Sequence, residues 1–215
     1  MRRGVLAVLW MLLAIVAPAV VAADSAAPVA PRPLELELGG TVVRIPAPEG
    51  YVRLSERDPE RLDAMRTLGS PANRVVEVLV HADDLARMQA RMAPVRMVLQ
   101  VQVLKRSERD VFSPRRWSKM RANLIQEMAE LQRVNAGVDM ATYGDDPHSV
   151  RQWMWAPNPA AIGAGGTVNL VSITRLERRV VYLVGMRDVP AQDTGVPEAQ
   201  REFDAFVDAT LRANP

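Results

Sequence analysis

The chain has 215 residues, 48% of them hydrophobic and 24% charged, a balance that excludes a disordered or fibrous protein and allows one domain of ordinary size with a real core. It contains no cysteine, which excludes disulfides, thiolate metal sites, a cysteine nucleophile and an acylated cysteine anchor. The formal net charge is +2, and removing Arg2 and Arg3 with a leader would leave 25 acidic residues matched by as many basic ones, which removes the whole-molecule argument for nucleic acid.

The first segment reads as that leader. Arg2 and Arg3 form a positive n-region, Val5 to Ala17 is an unbroken apolar run, and Val21-Ala22-Ala23 places small residues ahead of Asp24. The run falls short of the roughly 20 residues a bilayer span needs, and Pro18 interrupts it. Residues 1–23 are therefore expected to be a cleavable secretory signal peptide. The paired arginines lack the flanking Ser and Phe of a twin-arginine signal, so the ordinary secretory route to the periplasm or medium is expected, with no transmembrane anchor left after cleavage. All cations except Lys105 and Lys119 are arginines, and with abundant Ala and Val this points to a GC-rich bacterial source.

Residues 24–33 are rich in Ala and Pro, show no periodicity and read as a disordered tether; 34–215 reads as a single globular domain. Leu34, Leu36 and Leu38 alternate with Glu35 and Glu37, Gly39-Gly40 supplies a tight turn, and Thr41 to Ile45 returns, which predicts a β-hairpin. After Pro46 and Pro48, Tyr51 to Leu54 is expected to be extended. Asp58-Pro59 opens a helix with Leu62, Met65 and Leu68 on one face, ended by Gly69 and Pro71. Arg74 to His81 is a β-branched strand, and Asp83 is placed to cap a short helix carrying Leu85, Met88 and Met92.

Val95, Met97, Leu99, Val101 and Val103 share one side of a period-2 stretch, leaving Arg96, Gln100 and Gln102 on a wetter face that supports a helix or meets solvent. Ser113-Pro114 starts the strongest helix, in which Trp117, Met120, Leu124, Met128 and Leu131 recur at three- and four-residue steps. Val134 to Pro147 reads as irregular. Val150 to Trp155, Thr167 to Thr174 and Val180 to Met186 read as strands, and Pro197 as the start of a terminal helix with Phe203, Phe206, Val207 and Leu211 inward.

This order predicts an α+β domain, a mostly antiparallel sheet flanked by helices in an α/β/α sandwich. With Val43-Arg44-Ile45-Pro46-Ala47-Pro48-Glu49-Gly50-Tyr51 at its opening and a last hairpin leading into the closing helix, the chain resembles the PsbP-like family of exported accessory proteins over roughly Leu34 to Leu211. The resemblance implies an accessory or binding role and transfers no catalytic residue. An Arg-rich surface and the long tether depart from the photosynthetic members, so photosystem binding is not implied.

Two histidines lie beside carboxylates, in His81-Ala82-Asp83-Asp84 and Asp145-Asp146-Pro147-His148. Brought together, His81, Asp83, Asp84, Asp145, Asp146 and His148 would offer a divalent-metal site of the kind that activates water for hydrolysis. The competing reading makes Asp83 a helix cap, Asp145-Asp146-Pro147 a turn and both histidines loop residues; it needs no cofactor. No Ser sits in a Gly-x-Ser-x-Gly elbow, and Ser172 falls in a strand. Gly163-Ala164-Gly165-Gly166 precedes a strand where a phosphate loop needs a helix, and so reads as a connection. Trp153 and Trp155 share one strand face and form either a binding platform or core packing. Met88 and Met92, a turn apart, either present thioethers to cuprous ion or pack. Arg106, Arg109, Arg115, Arg116, Lys119 and Arg121 form the densest basic stretch, suited to an acidic or phosphate-bearing partner or to a solvated helix face. The leading expectation is a non-enzymatic binding or accessory protein of the cell envelope. The alternatives are a metal-binding protein or metal-dependent hydrolase and an envelope structural factor.

Overall fold

A computed structural model describes residues 32–215 except 69, 91, 136–138, 158–164 and 190–191. The expected signal peptide and most of the tether lie outside the described residues, as do Gly69 and the first half of the Gly-rich connection, Gly163 and Ala164. The elements are β1 (Leu34–Leu38), β2 (Thr41–Ile45), β3 (Tyr51–Arg53), α1 (Leu54–Arg57), α2 (Pro59–Leu68), β4 (Asn73–His81), α3 (Ala82–Gln89), β5 (Val98–Leu104), α4 (Pro114–Val134), β6 (Asp139–Asp145), β7 (Ser149–Pro157), β8 (Gly166–Leu176), β9 (Arg179–Val189) and α5 (Gln192–Arg212). β1 and β2 form a separate hairpin, and the other strands make one antiparallel sheet in the order β3-β4-β5-β9-β8-β7-β6. No helix among the described residues is long and apolar enough to cross a membrane.

The sheet is covered on both faces, as an α/β/α sandwich requires. On one face Leu99, Val101, Val103, Leu170, Val181 and Leu183 meet the hairpin residues Leu38, Val43 and Ile45 and the α5 residues Phe203, Phe206 and Val207. On the other, α1 to α3 close Val75, Val78, Val80 and Val98, while α4 closes Val171, Ile173 and Val180 with Trp117 and Leu124. Polar contacts lock α5 to the sheet. Arg151 of β7 reaches Asp204 at 2.9 Å and Asp208 at 2.5 Å, and the Tyr51 hydroxyl donates to Glu202 at 2.8 Å.

The sandwich and the hairpin are as expected, with Gly39 and Gly40 in the turn at positive φ, and Ser113 accepts the Arg116 amide at 3.2 Å to cap α4. Several local expectations are corrected. Leu54 leaves the extended path and begins a single helical turn, beneath which the buried carboxylate of Glu77 accepts the Ser55 amide at 3.1 Å and the Val78 amide at 3.0 Å. β5 starts at Val98, because Asp84, 3% exposed, takes the amides of Val95 and Arg96 and holds that segment as a loop. The segment read as irregular contains β6, an edge strand whose bulge between Thr142 and Gly144 breaks the alternation that would have revealed it. Gln132 of α4 donates to the Met140 carbonyl and so blunts that open edge. Pro197 lies inside α5, which begins at Gln192.

Candidate functional site

The two histidine segments do not converge. His81 ends β4, at the end of the sheet where Val98, Met186, Asn169 and Met154 lie side by side, whereas His148 precedes Ser149 at the opposite end, beside Thr174 and Val181. Four strand spacings, about 19 Å, also separate β4 from β7 across the sheet. Each residue has a local task instead. His81, not Asp83, caps α3, its Nδ1 accepting the Asp83 amide at 3.3 Å, while Asp83 pairs with Arg96 at 2.9 Å. Asp145 pairs with Arg121 of α4 at 2.9 Å, and Asp146 accepts the His148 and Ser149 amides, each at 2.8 Å. Among the described residues no group of three or more His, Asp or Glu is arranged to hold a metal ion.

The Asp146 turn yields a pH prediction. Burial pushes its carboxyl up, but the Ser149 hydroxyl, the His148 and Ser149 amides and Arg151 outweigh this, so it titrates below its ordinary value. A lowered folded-state value stabilises the fold above the unfolded-state pKa of about 4 and loses that contribution as pH falls through the lower folded value. Asp146→Asn is therefore expected to melt below the parent at pH 7, with the gap closing on acidification below about pH 4. A gap independent of pH in thermal melts would refute this account of the turn.

Trp153 and Trp155 are half-buried on the α5 face, opposite Leu170 and Val168, and pack against the main core instead of forming an open platform. A Cβ on Gly166 would lie 2.5 Å from the Trp155 ring, which is the reason for glycine at that strand start. Met88 is buried in α3, but the helix stops at Gln89 and Met92 is exposed beyond it, so the two thioethers do not share a helix face. Ser172 is fully buried and hydrogen-bonded to Thr174 at 2.8 Å.

The basic stretch leads to a cavity. A cleft of about 510 Å³ runs between the first half of α4, the segment from Leu104 to Phe112 and β9. Its floor comprises Leu104, Phe112, Met120, Leu124 and Tyr182; its rim carries Arg106, Arg116, Lys119, Asp110, Asn123 and Glu127. The cleft lies on the α4 side of a face whose buried residues fall into two separate clusters. Between them Gln100 and Gln102 of β5 lie beside Val184 and Tyr182 of β9, linked by a chain from Asn73 to Gln102 at 2.9 Å and on to Gln100 at 2.7 Å.

The charges on the rim divide into committed and free. Arg116 is committed: it pairs with Asp110 at 2.5 Å and lies 4.3 Å over the Phe112 ring centroid. Arg121 and Arg109 do not line the cleft, and Arg115 is an exposed residue of the outer α4 surface. Arg106 and Lys119 make no ion pair among the described residues, and neither does Glu127. The Tyr182 hydroxyl has no protein partner there either; burial raises its pKa, Arg106 lowers it and Glu127 raises it, with a net upward shift. Tyr182 therefore remains a neutral donor and acceptor at the floor. Unpaired cations and the Tyr182 hydroxyl beside an apolar floor are an arrangement able to hold a ligand. Sequence reading found the cations but missed Phe112, Asn123 and Tyr182. The four-residue step from Lys119 to Asn123 to Glu127 was the sequence signal that Asn123 shares their side of the helix.

No family model, curated protein or solved structure matches this chain.

Proposed function

We propose that the chain is an exported, non-enzymatic binding or accessory protein of the cell envelope whose ligand seat is the α4 cleft. The observation that carries this reading is the pair of cations without carboxylate partners, Arg106 and Lys119, on the rim of a cavity floored by Phe112, Leu124 and Tyr182. Unpaired cations beside an apolar floor favour a ligand with an anionic group and an apolar body. Export rests on reading residues 1–23 as a leader, and the accessory role on the resemblance of the sequence to PsbP-like proteins.

The test uses mature protein recovered from an envelope fraction, where its N-terminus is expected at Asp24. The probe is 8-anilino-1-naphthalenesulfonate, an aromatic anion read by its fluorescence. An Arg106→Glu, Lys119→Glu double variant is expected to bind it about tenfold more weakly, with an unchanged melting temperature, and added salt should weaken the parent toward the variant. Equal affinity in the two proteins would remove the cleft from the reading. A chain that retains residue 1 in the cytosol would remove export.

A further inference from the structure

We infer that the ligand of the α4 cleft is a short peptide with free termini, its carboxylate held by Lys119 and Arg106 and its ammonium group by Glu127. This rests on the reading of the cleft as a binding seat and adds the class of ligand. The free charges in the cleft have both signs. A purely anionic ligand would satisfy Arg106 and Lys119 but leave Glu127 unpaired against it, and a purely cationic one would meet two cations. A zwitterion satisfies both ends.

The spacing selects among zwitterions. Lys119, Asn123 and Glu127 recur at four-residue steps on one side of α4, and all three line the cleft. At 1.5 Å of rise per residue the two charged positions stand about 12 Å apart along the helix. An extended chain advances about 3.3 Å per residue, so the terminal charges of a tri- or tetrapeptide span that distance. A zwitterionic lipid headgroup or a single amino acid carries its two charges only a few bonds apart, less than the spacing of the two helix positions. Asn123, midway, offers a donor and an acceptor to a peptide group, and the Tyr182 hydroxyl on the floor offers a further pair. Met120, Leu124 and Phe112 supply an apolar surface for an aliphatic side chain. The cavity, at about 510 Å³, falls within the usual range for small-ligand sites.

Calorimetric titration of the mature protein with Ala-Leu-Ala, its N-acetyl derivative and its C-terminal amide tests the inference beside the naphthalenesulfonate probe. Each block is expected to weaken binding to the parent about fivefold to tenfold. N-acetylation should cost nothing further in Glu127→Gln, and amidation nothing further in an Arg106→Gln, Lys119→Gln double variant. If the N-acetyl peptide binds the parent as tightly as the free one, or if no peptide binds while the sulfonate still depends on Lys119 and Arg106, the peptide inference is overturned and the anion-binding cleft stands. If the sulfonate is indifferent to both cations, the cleft reading and the inference fall together.

Discussion

Arg179→Ala is expected to lower the melting temperature by about 10 °C, corresponding to roughly 3 kcal/mol in a domain of this size. Arg179 opens β9 and is 5% exposed, yet no carboxylate lies among its partners. Its Nε donates to the Thr41 hydroxyl at 3.1 Å, one terminal nitrogen donates to the carbonyls of Arg109 at 2.7 Å and Asp110 at 3.0 Å, and the other donates to the Gly39 carbonyl. One side chain thus ties the β1–β2 turn to the segment that forms a wall of the cleft. Removing it leaves three carbonyls without this donor; Gly39 and Arg109 are exposed, so water takes over in part, and each group that stays unsatisfied costs about 1–3 kcal/mol, offset further by relief of burying the cation. Since Asp110 and Phe112 belong to the cleft, sulfonate affinity should fall along with stability. A melting temperature within 2 °C of the parent in calorimetry would show that water replaces these contacts freely.

Phe203→Ala should cost more, about 4 kcal/mol and a melting shift of about 12 °C, because it empties a fully enclosed ring site. Phe203 lies where α5 presses on β9, and the contact is close because residue 185 has no side chain: a Cβ there would stand 2.6 Å from the Met97 sulfur and 2.8 Å from the Phe203 ring. The neighbouring Phe206 ring, its centroid 6.4 Å away, completes the patch. Urea unfolding is the appropriate measurement, since the midpoint should fall while the slope stays constant. Loss of less than 1 kcal/mol would mean that the core collapses onto the vacancy. The α4 cleft lies on the other face of the sheet, so sulfonate affinity at low temperature is expected to survive this substitution, in contrast to Arg179→Ala.

The elements most legible in the sequence were those whose signals are local. Alternation of Leu34, Leu36 and Leu38 followed by Gly39-Gly40 specifies a hairpin because side-chain direction has period two and the turn needs positive φ; both hold. Ser113-Pro114 before the Trp117 to Leu131 stripe specifies the start and buried side of α4 for equally local reasons. β6 was illegible because an edge strand with a bulge buries only Met140 fully, so no alternation is written into it. Pro197 misled because proline is favoured in a first helical turn, and nothing local records that α5 begins earlier.

The histidine segments show the same division. Both read as potential ligands in one dimension, and the antiparallel register then carries them to opposite ends of the sheet. The cleft is the converse case. Its cations form a visible run, but Tyr182 reaches them only because β9 pairs with β5 at Gln102, and Glu127 remains free because no cation among the described residues pairs with it. What the sequence by itself determined was the cysteine-free α+β class and the elements set by periodicity and capping, because these follow from interactions within a few residues. Which charges are spent on structure and which stay available to a ligand was decided only by tertiary structure, because that depends on the strand order and on how the segment from Leu104 to Phe112 folds against α4 and β9.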